Sequence, residues 1–190
     1  MCMLKSAIIL KNQVYMPDHN HHTQMLEELE IKDTRQNAET KFIRAELIPP
    51  NGDMFSPVDT WTFKVDQDII PDWYVGDYDR NRMIDAVNDW AKEHIHIDES
   101  DFTIGEGTYY LKNCKRVACH NSTVEAYDNS TVKAWGNSTV KAWGNAIAFI
   151  PEYSSAKRES VVLMENSTLK DCKTKTIYQS GSWELVIVNG

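Results

Sequence analysis

Along the second half of the chain, polar and apolar positions alternate with a period of two, and the whole pattern recurs every eight residues. Asn121 to Asn145 reads NSTVEAYD, NSTVKAWG, NSTVKAWG and N. Ser130, Val132 and Ala134 are small or apolar, Thr131, Lys133 and Trp135 between them are polar or bulky, and Gly136-Asn137 supplies a turn. Alternation of this kind, with β-branched Thr and Val, predicts strands with one buried face. Recurrence at a short fixed period predicts copies of one unit stacked on each other. An antiparallel meander through Gly136-Asn137 would set Lys133 opposite Val140 and Ala134 opposite Thr139, mixing buried and exposed types at every rung. A parallel stack brings Val onto Val and Ala onto Ala, so one face stays dry and fixes the register. The expectation is a right-handed-type β-solenoid built from octad repeats. A coil of eight residues is too tight to enclose side chains, which favours two octads per coil. Tyr127 and Trp143 then share one outer face and Trp135 lies on the opposite one. One octad per rung of a single sheet would put all three in one column.

Ahead of the repeat the periods are mixed. Ser6 to Leu10 is a short apolar run that predicts a strand, continued after Lys11-Asn12 by Val14 to Met16. Met25, Leu26, Leu29 and Ile31 sit at helical spacing and predict a helix of about three turns, while the polar segment from Asp33 to Thr40 reads as a loop. Phe42 to Ile48 and Trp61 to Val65 alternate and pair as an antiparallel hairpin across Pro49-Pro50-Asn51-Gly52. A second helix fits Asp79 to Glu93, with Met83, Val87, Trp90 and Ala91 on one face. Residues 1–103 thus read as a small acidic α+β domain, and 104–190 as the solenoid. Pro151 interrupts the repeat, Ser154 to Ser160 reads as an irregular outward loop, and Trp183 to Val188 (WELVIV) is suited to capping the open end.

The segments FIRAELIPPNG, WTFKVDQDIIPDWY and the NSTVKAWG octads together resemble proteins of bacteriophages and of prophage regions in bacterial genomes. In those, a short α+β head precedes a variable array of such octads. The likeness spans roughly residues 5–188 and implies a mobile-element origin and a solenoid. It transfers no catalytic residue.

Charge sharpens the division. The net charge is −8, from 20 Lys+Arg and 28 Asp+Glu. The acidic excess lies wholly ahead of the repeat, which argues against direct nucleic-acid binding by the head. No long apolar run predicts a membrane span and no secretory signal is evident. Cys2, Cys114, Cys119 and Cys172 form no CxxC pair and read as buried free thiols of a cytoplasmic protein.

Three constellations are candidates for chemistry or binding. His19, His21 and His22, beside Asp18, are candidate metal ligands, with His94 or His96 to complete a set. His21-His22-Thr23 and His120-Asn121-Ser122 each read His-x-Thr/Ser. Two such tripeptides would make a small phosphodiesterase site, His21 and His120 serving as base and acid and Thr23 and Ser122 holding the phosphate. The run Asp66, Asp68, Asp72, Asp77 and Asp79 is a solvated face, a metal site, or an acidic surface that imitates a nucleic-acid backbone. Outward Tyr127, Lys133, Trp135, Lys141 and Trp143 offer a binding face for a partner.

No cofactor is implied. The leading expectation is a phage-type, non-enzymatic protein that engages a host protein and inhibits a defence or nucleic-acid-processing complex. The alternatives are a histidine-dependent phosphodiesterase or metal-dependent hydrolase, and a structural phage component.

Overall fold

The computed structural model describes residues 4–180. The chain divides into two compact units, Met1–Glu93 and His94–Gly190. The boundary falls before the one expected at 103/104, because the β-rich half starts earlier than FTIGEGTYYL: Ile95–Ile97 already pairs in parallel with Gly107–Lys112.

The first unit is built on a four-stranded antiparallel sheet of β1 (Lys5–Leu10), β2 (Val14–Tyr15), β3 (Phe42–Ile48) and β4 (Thr62–Val65), in the order β2-β1-β3-β4. β1 is buried along nearly its whole length, so it reads as an apolar run rather than an alternation. β3 and β4 form the expected hairpin, with Leu47 beside Phe63 and Ala45 beside Val65. Helix α1 (His22–Glu28) is shorter than expected: Leu29 caps it, and Glu30 at φ 55° turns the chain before Ile31. Met25, Leu26, Ile8, Phe42 and Ala38 make one apolar cluster, with Leu29 and Ile31 packed against it. The apolar residues are therefore buried as predicted, although the last two lie beyond the helix. Asp33 to Thr40 is not a loop throughout. Arg35–Thr40 forms helix α2, whose N-cap Thr34 accepts a hydrogen bond from the Asn37 amide and whose only buried residue is Ala38. One apolar residue in six is too little pattern to reveal a helix. Helix α3 (Gly76–His94) buries Met83, Val87 and Trp90 as anticipated.

The second unit is a β-solenoid of about four turns. One parallel sheet stacks β5 (Ile95–Ile97), β7 (Gly107–Lys112), β9 (Ser122–Tyr127), β11 (Thr139–Ala142) and β13 (Val161–Leu163). The other stacks β6 (Thr103–Ile104), β8 (Val117–His120), β10 (Thr131–Trp135), β12 (Ile147–Ile150) and β14 (Thr168–Asp171). Val124 pairs with Val140 and Ala126 with Ala142, whereas Val132 pairs with Val117 and Ala148. Successive octads alternate between the sheets, so each coil takes two of them.

The octad's composition follows from this geometry. Val124, Val132, Val140, Ala134 and Ala142 are fully buried and fill the narrow core. The serines are buried too: Ser138 donates through Oγ to the Cys119 and Trp135 carbonyls at 3.1 and 2.6 Å, and Ser130 donates likewise to the Leu111 and Tyr127 carbonyls. Each hydroxyl adds a second bond to a corner carbonyl that already accepts from the serine's own amide at 3.2 Å. Asn121 Oδ1 accepts from the Asn137 amide of the next coil at 2.9 Å. A Cβ on Gly136, whose φ is 59°, would lie 2.3 Å from that oxygen, which is why the corner takes glycine.

Pro151 to Ser160 is not a purely outward loop. Ser154 and Ala156 point into the core, and Ser154 Oγ donates to the Ala134 carbonyl at 2.8 Å, reproducing the octad serine without its sequence context. β15 (Thr176–Gln179) runs antiparallel along β14 and covers its edge. The expected capping strand WELVIV lies outside the described residues. Cys114 and Cys119 are buried, with thiols pushed up by burial, whereas Cys172 is exposed at a turn following β14 and is not a core thiol.

Candidate functional site

Two regions gather the residues singled out by sequence, one in each unit. In the solenoid, stacking places equivalent outward side chains directly over one another. Tyr127 and Trp143 lie with ring centroids 5.8 Å apart and planes inclined by 3°. On the other sheet Trp135 lies beside His120 at 6.1 Å and 7°. All but exposed His120 are half-buried, and the three octad aromatics divide between two faces, as two octads per coil require. Beside the Tyr127–Trp143 stack, two residues along the same strand, Glu125 is buried and receives hydrogen bonds from Tyr127 Oη at 2.8 Å and Lys141 Nζ at 2.9 Å. Tyr110 precedes Glu125 in the same column, and its phenol is pushed up to about 12 by burial and then by that carboxylate. Lys133 is exposed, whereas Lys141 is committed to its ion pair. The Trp143 indole nitrogen is buried without a hydrogen-bond partner.

In the first unit, His21, His22, Thr23, Arg44 and Asp66 line one open depression of about 550 Å³. Alternation along β3 turns Arg44 and Glu46 to the same side, and antiparallel pairing puts Lys64 beside Glu46. Lys64 Nζ reaches Glu46 Oε2 at 3.4 Å and Asp66 Oδ1 at 3.0 Å. Hydrogen bonding to Lys64 is the largest cause lowering the Asp66 carboxyl below its ordinary value. His22, at the start of α1, turns Nε2 to the Ala45 carbonyl at 3.2 Å and Nδ1 to Asp66 Oδ2 at 3.6 Å. Burial lowers the His22 pKa, favouring the neutral ring. His22, Glu46 and Asp66 offer ligand atoms all within 4.8 Å of one another.

The other sequence candidates are distributed differently from expectation. His19 leaves the metal group: its Nε2 pairs with Glu28 at 3.1 Å, and His21 stacks on it at 6.0 Å. His96 pairs with inward Leu111 in the first solenoid coil, His94 just before it is buried, and both pack against Tyr109. His96 also meets Phe102. The tripeptide His120-Asn121-Ser122 is split by its own corner: His120 faces out on Trp135, and Ser122 is buried in the core. Ser122 is thus a structural serine and cannot hold a phosphate.

The aspartate run does not form one face either. Asp79 is 1% exposed and, from inside the first turn of α3, accepts from the Val75 amide just ahead of the helix at 2.8 Å and from Arg82 at 2.7 Å. Asp66 belongs to the depression, and Asp68, Asp72 and Asp77 are exposed. Sequence reasoning missed Glu46, which occupies an ordinary polar position of an alternating strand.

No helix among the described residues is long and apolar enough to cross a membrane. No protein-family model, curated protein or solved structure matches this chain.

Proposed function

We propose that this is a phage-type, non-enzymatic binding protein whose solenoid engages a host protein. The observation that carries this reading is the Tyr127–Trp143 stack. Its parallel rings are set by register, and the Glu125–Lys141 pair lies beside them on the same outer face. Rigid, half-exposed aromatics lose little conformational freedom on contact with a partner, and such residues dominate binding energy at protein interfaces. Trp135 and Lys133 give the opposite face a second, smaller contact of the same kind.

The first unit then serves as an α+β head whose exposed Asp68, Asp72 and Asp77 contribute an acidic surface. The coil is read as right-handed, the hand that parallel crossovers adopt almost without exception. The resemblance of the octads to phage and prophage proteins supports action in the host cytoplasm, on a defence or nucleic-acid-processing complex.

Immobilised wild-type protein and the Tyr127→Ala/Trp143→Ala variant, exposed to host lysate and analysed by mass spectrometry, test the reading. A host protein retained by the first and lost from the folded second is expected. Recovery of the same proteins by both would sink it.

A further inference from the structure

We infer that His22, Glu46 and Asp66 form a binding site for a divalent transition metal of the zinc class. The inference concerns the first unit and is independent of the solenoid's role. His22 is the decisive residue. Its side chain is 11% exposed, and Nε2 sits 3.2 Å from the Ala45 carbonyl, an acceptor only. The hydrogen on Nε2 is therefore committed to the backbone, and the neutral ring presents its Nδ1 lone pair on the other side. That lone pair faces Asp66 Oδ2 at 3.6 Å, and Glu46 completes a group in which one ligand atom from each residue lies within 4.8 Å of the others.

The His22 Nδ1 lone pair and Asp66 Oδ2 face each other as two acceptors, while Lys64 pairs with the carboxylates through other oxygens, and a cation between the two would satisfy both. The 3.6 Å separation is too long for a hydrogen bond. It is close to the distance of about 3.3 Å that separates two ligand atoms of a tetrahedral ion whose bonds are about 2.0–2.1 Å. A backbone carbonyl holding the far nitrogen of a ligating histidine is the outer-shell arrangement that fixes such a ring. One imidazole with two carboxylates suits zinc or manganese better than the purely oxygen-seeking calcium and magnesium.

Lys64 occupies part of the carboxylate pair, but through Asp66 Oδ1 and Glu46 Oε2, leaving Asp66 Oδ2 turned to His22. Its ammonium offsets one of the two carboxylate charges when no metal is bound and weakens the metal's hold when one is. Three protein ligands leave a fourth position for water or an anionic ligand.

Calorimetric titration of the full chain with Zn²⁺ and visible absorption with Co²⁺ test the site. One equivalent bound is expected, with affinity reduced at least about tenfold by Asp66→Asn and by Glu46→Gln. Lys64→Met should raise it severalfold, and Glu28→Gln, at the exposed His19 pair, should leave it unchanged. Absence of saturable binding by both the wild-type and Lys64→Met proteins would overturn the site. So would binding that persists unaltered in the folded Asp66→Asn/Glu46→Gln double variant. Should the double variant unfold, the wild-type cobalt spectrum decides. The intense bands of a protein-held ion of low coordination number support the site, and the weak spectrum of the hydrated ion overturns it.

Discussion

The solenoid and the sheet-and-helix unit both bury polar groups, but they satisfy them by opposite means. In the solenoid the recurring buried polar residue is a serine, used again at Ser130, Ser138 and Ser167, and each time it donates to a carbonyl three residues back, with Glu125 and Asp171 as charged exceptions. In the first unit each buried polar residue is singular. Asp79 is held by Arg82, which itself reaches the Leu10 carbonyl 72 positions away in sequence. Lys5 donates to the Pro17 carbonyl and lies 4.4 Å over the Trp90 ring. Local, repeated bonds divide a structural requirement among many weak contributors, whereas singular long-range pairs concentrate it. Sensitivity to substitution should therefore differ between the units.

The largest difference is expected at Asp79. Asp79→Ala removes the cap of the Val75 amide and leaves the mostly buried Arg82 guanidinium without its carboxylate. It should cost about 3 kcal/mol in chemical denaturation. A cost below about 1 kcal/mol would mean that the pair is not the point on which the unit depends.

Lys5 should give an intermediate effect with a distinctive pH dependence. Burial, only partly offset by Asp18, lowers its pKa from 10.5 to about 8. Below pH 8 both states hold the proton. Between about 8 and 10.5 the folded protein releases it while the unfolded chain retains it, so stability rises with pH across that window. Relative to Lys5→Met, the wild-type protein should gain roughly 1–2 kcal/mol between pH 7.5 and 9.5. A flat difference would show that the ammonium finds solvent.

The smallest effect belongs to the repeat. Ser138→Ala removes one donor from the Trp135 and Cys119 carbonyls and should cost about 1 kcal/mol. If it matched Asp79→Ala, the contrast between shared and concentrated burial would fail.

The same contrast explains what could be read from sequence. The octads disclosed their inward Ser, Val and Ala set, because parallel stacking copies one local environment many times; they favoured two octads per coil but left one octad per rung open, and the alternation between two sheets decides for two. The hairpin of β3 with β4 and α3 were legible from hydrophobic period, and β1 from its continuous apolar run. Ser154 and Ala156 were not, since their burial depends on a coil that happens to close around a segment with no octad pattern. Helix α2 offered a single buried residue, and a lone Ala38 carries no period. The His22–Glu46–Asp66 group was hidden for a third reason. Its members come from a helix start, a strand and the residue after a strand, and only the sheet's register brings them together. The neighbouring His19 and His21 drew attention because they were adjacent in sequence, and sequence adjacency does not place ligands around a shared point.

Because successive octads alternate between two sheets, the array has a parity. Gaining or losing two octads changes the stack by one rung of about 4.8 Å and leaves every later aromatic on its own side. Gaining or losing one would carry every later octad across to the opposite sheet, separating Trp143 from Tyr127 and moving it toward the Trp135 column. Length can therefore vary in such an array without altering what either face presents, but only in even steps.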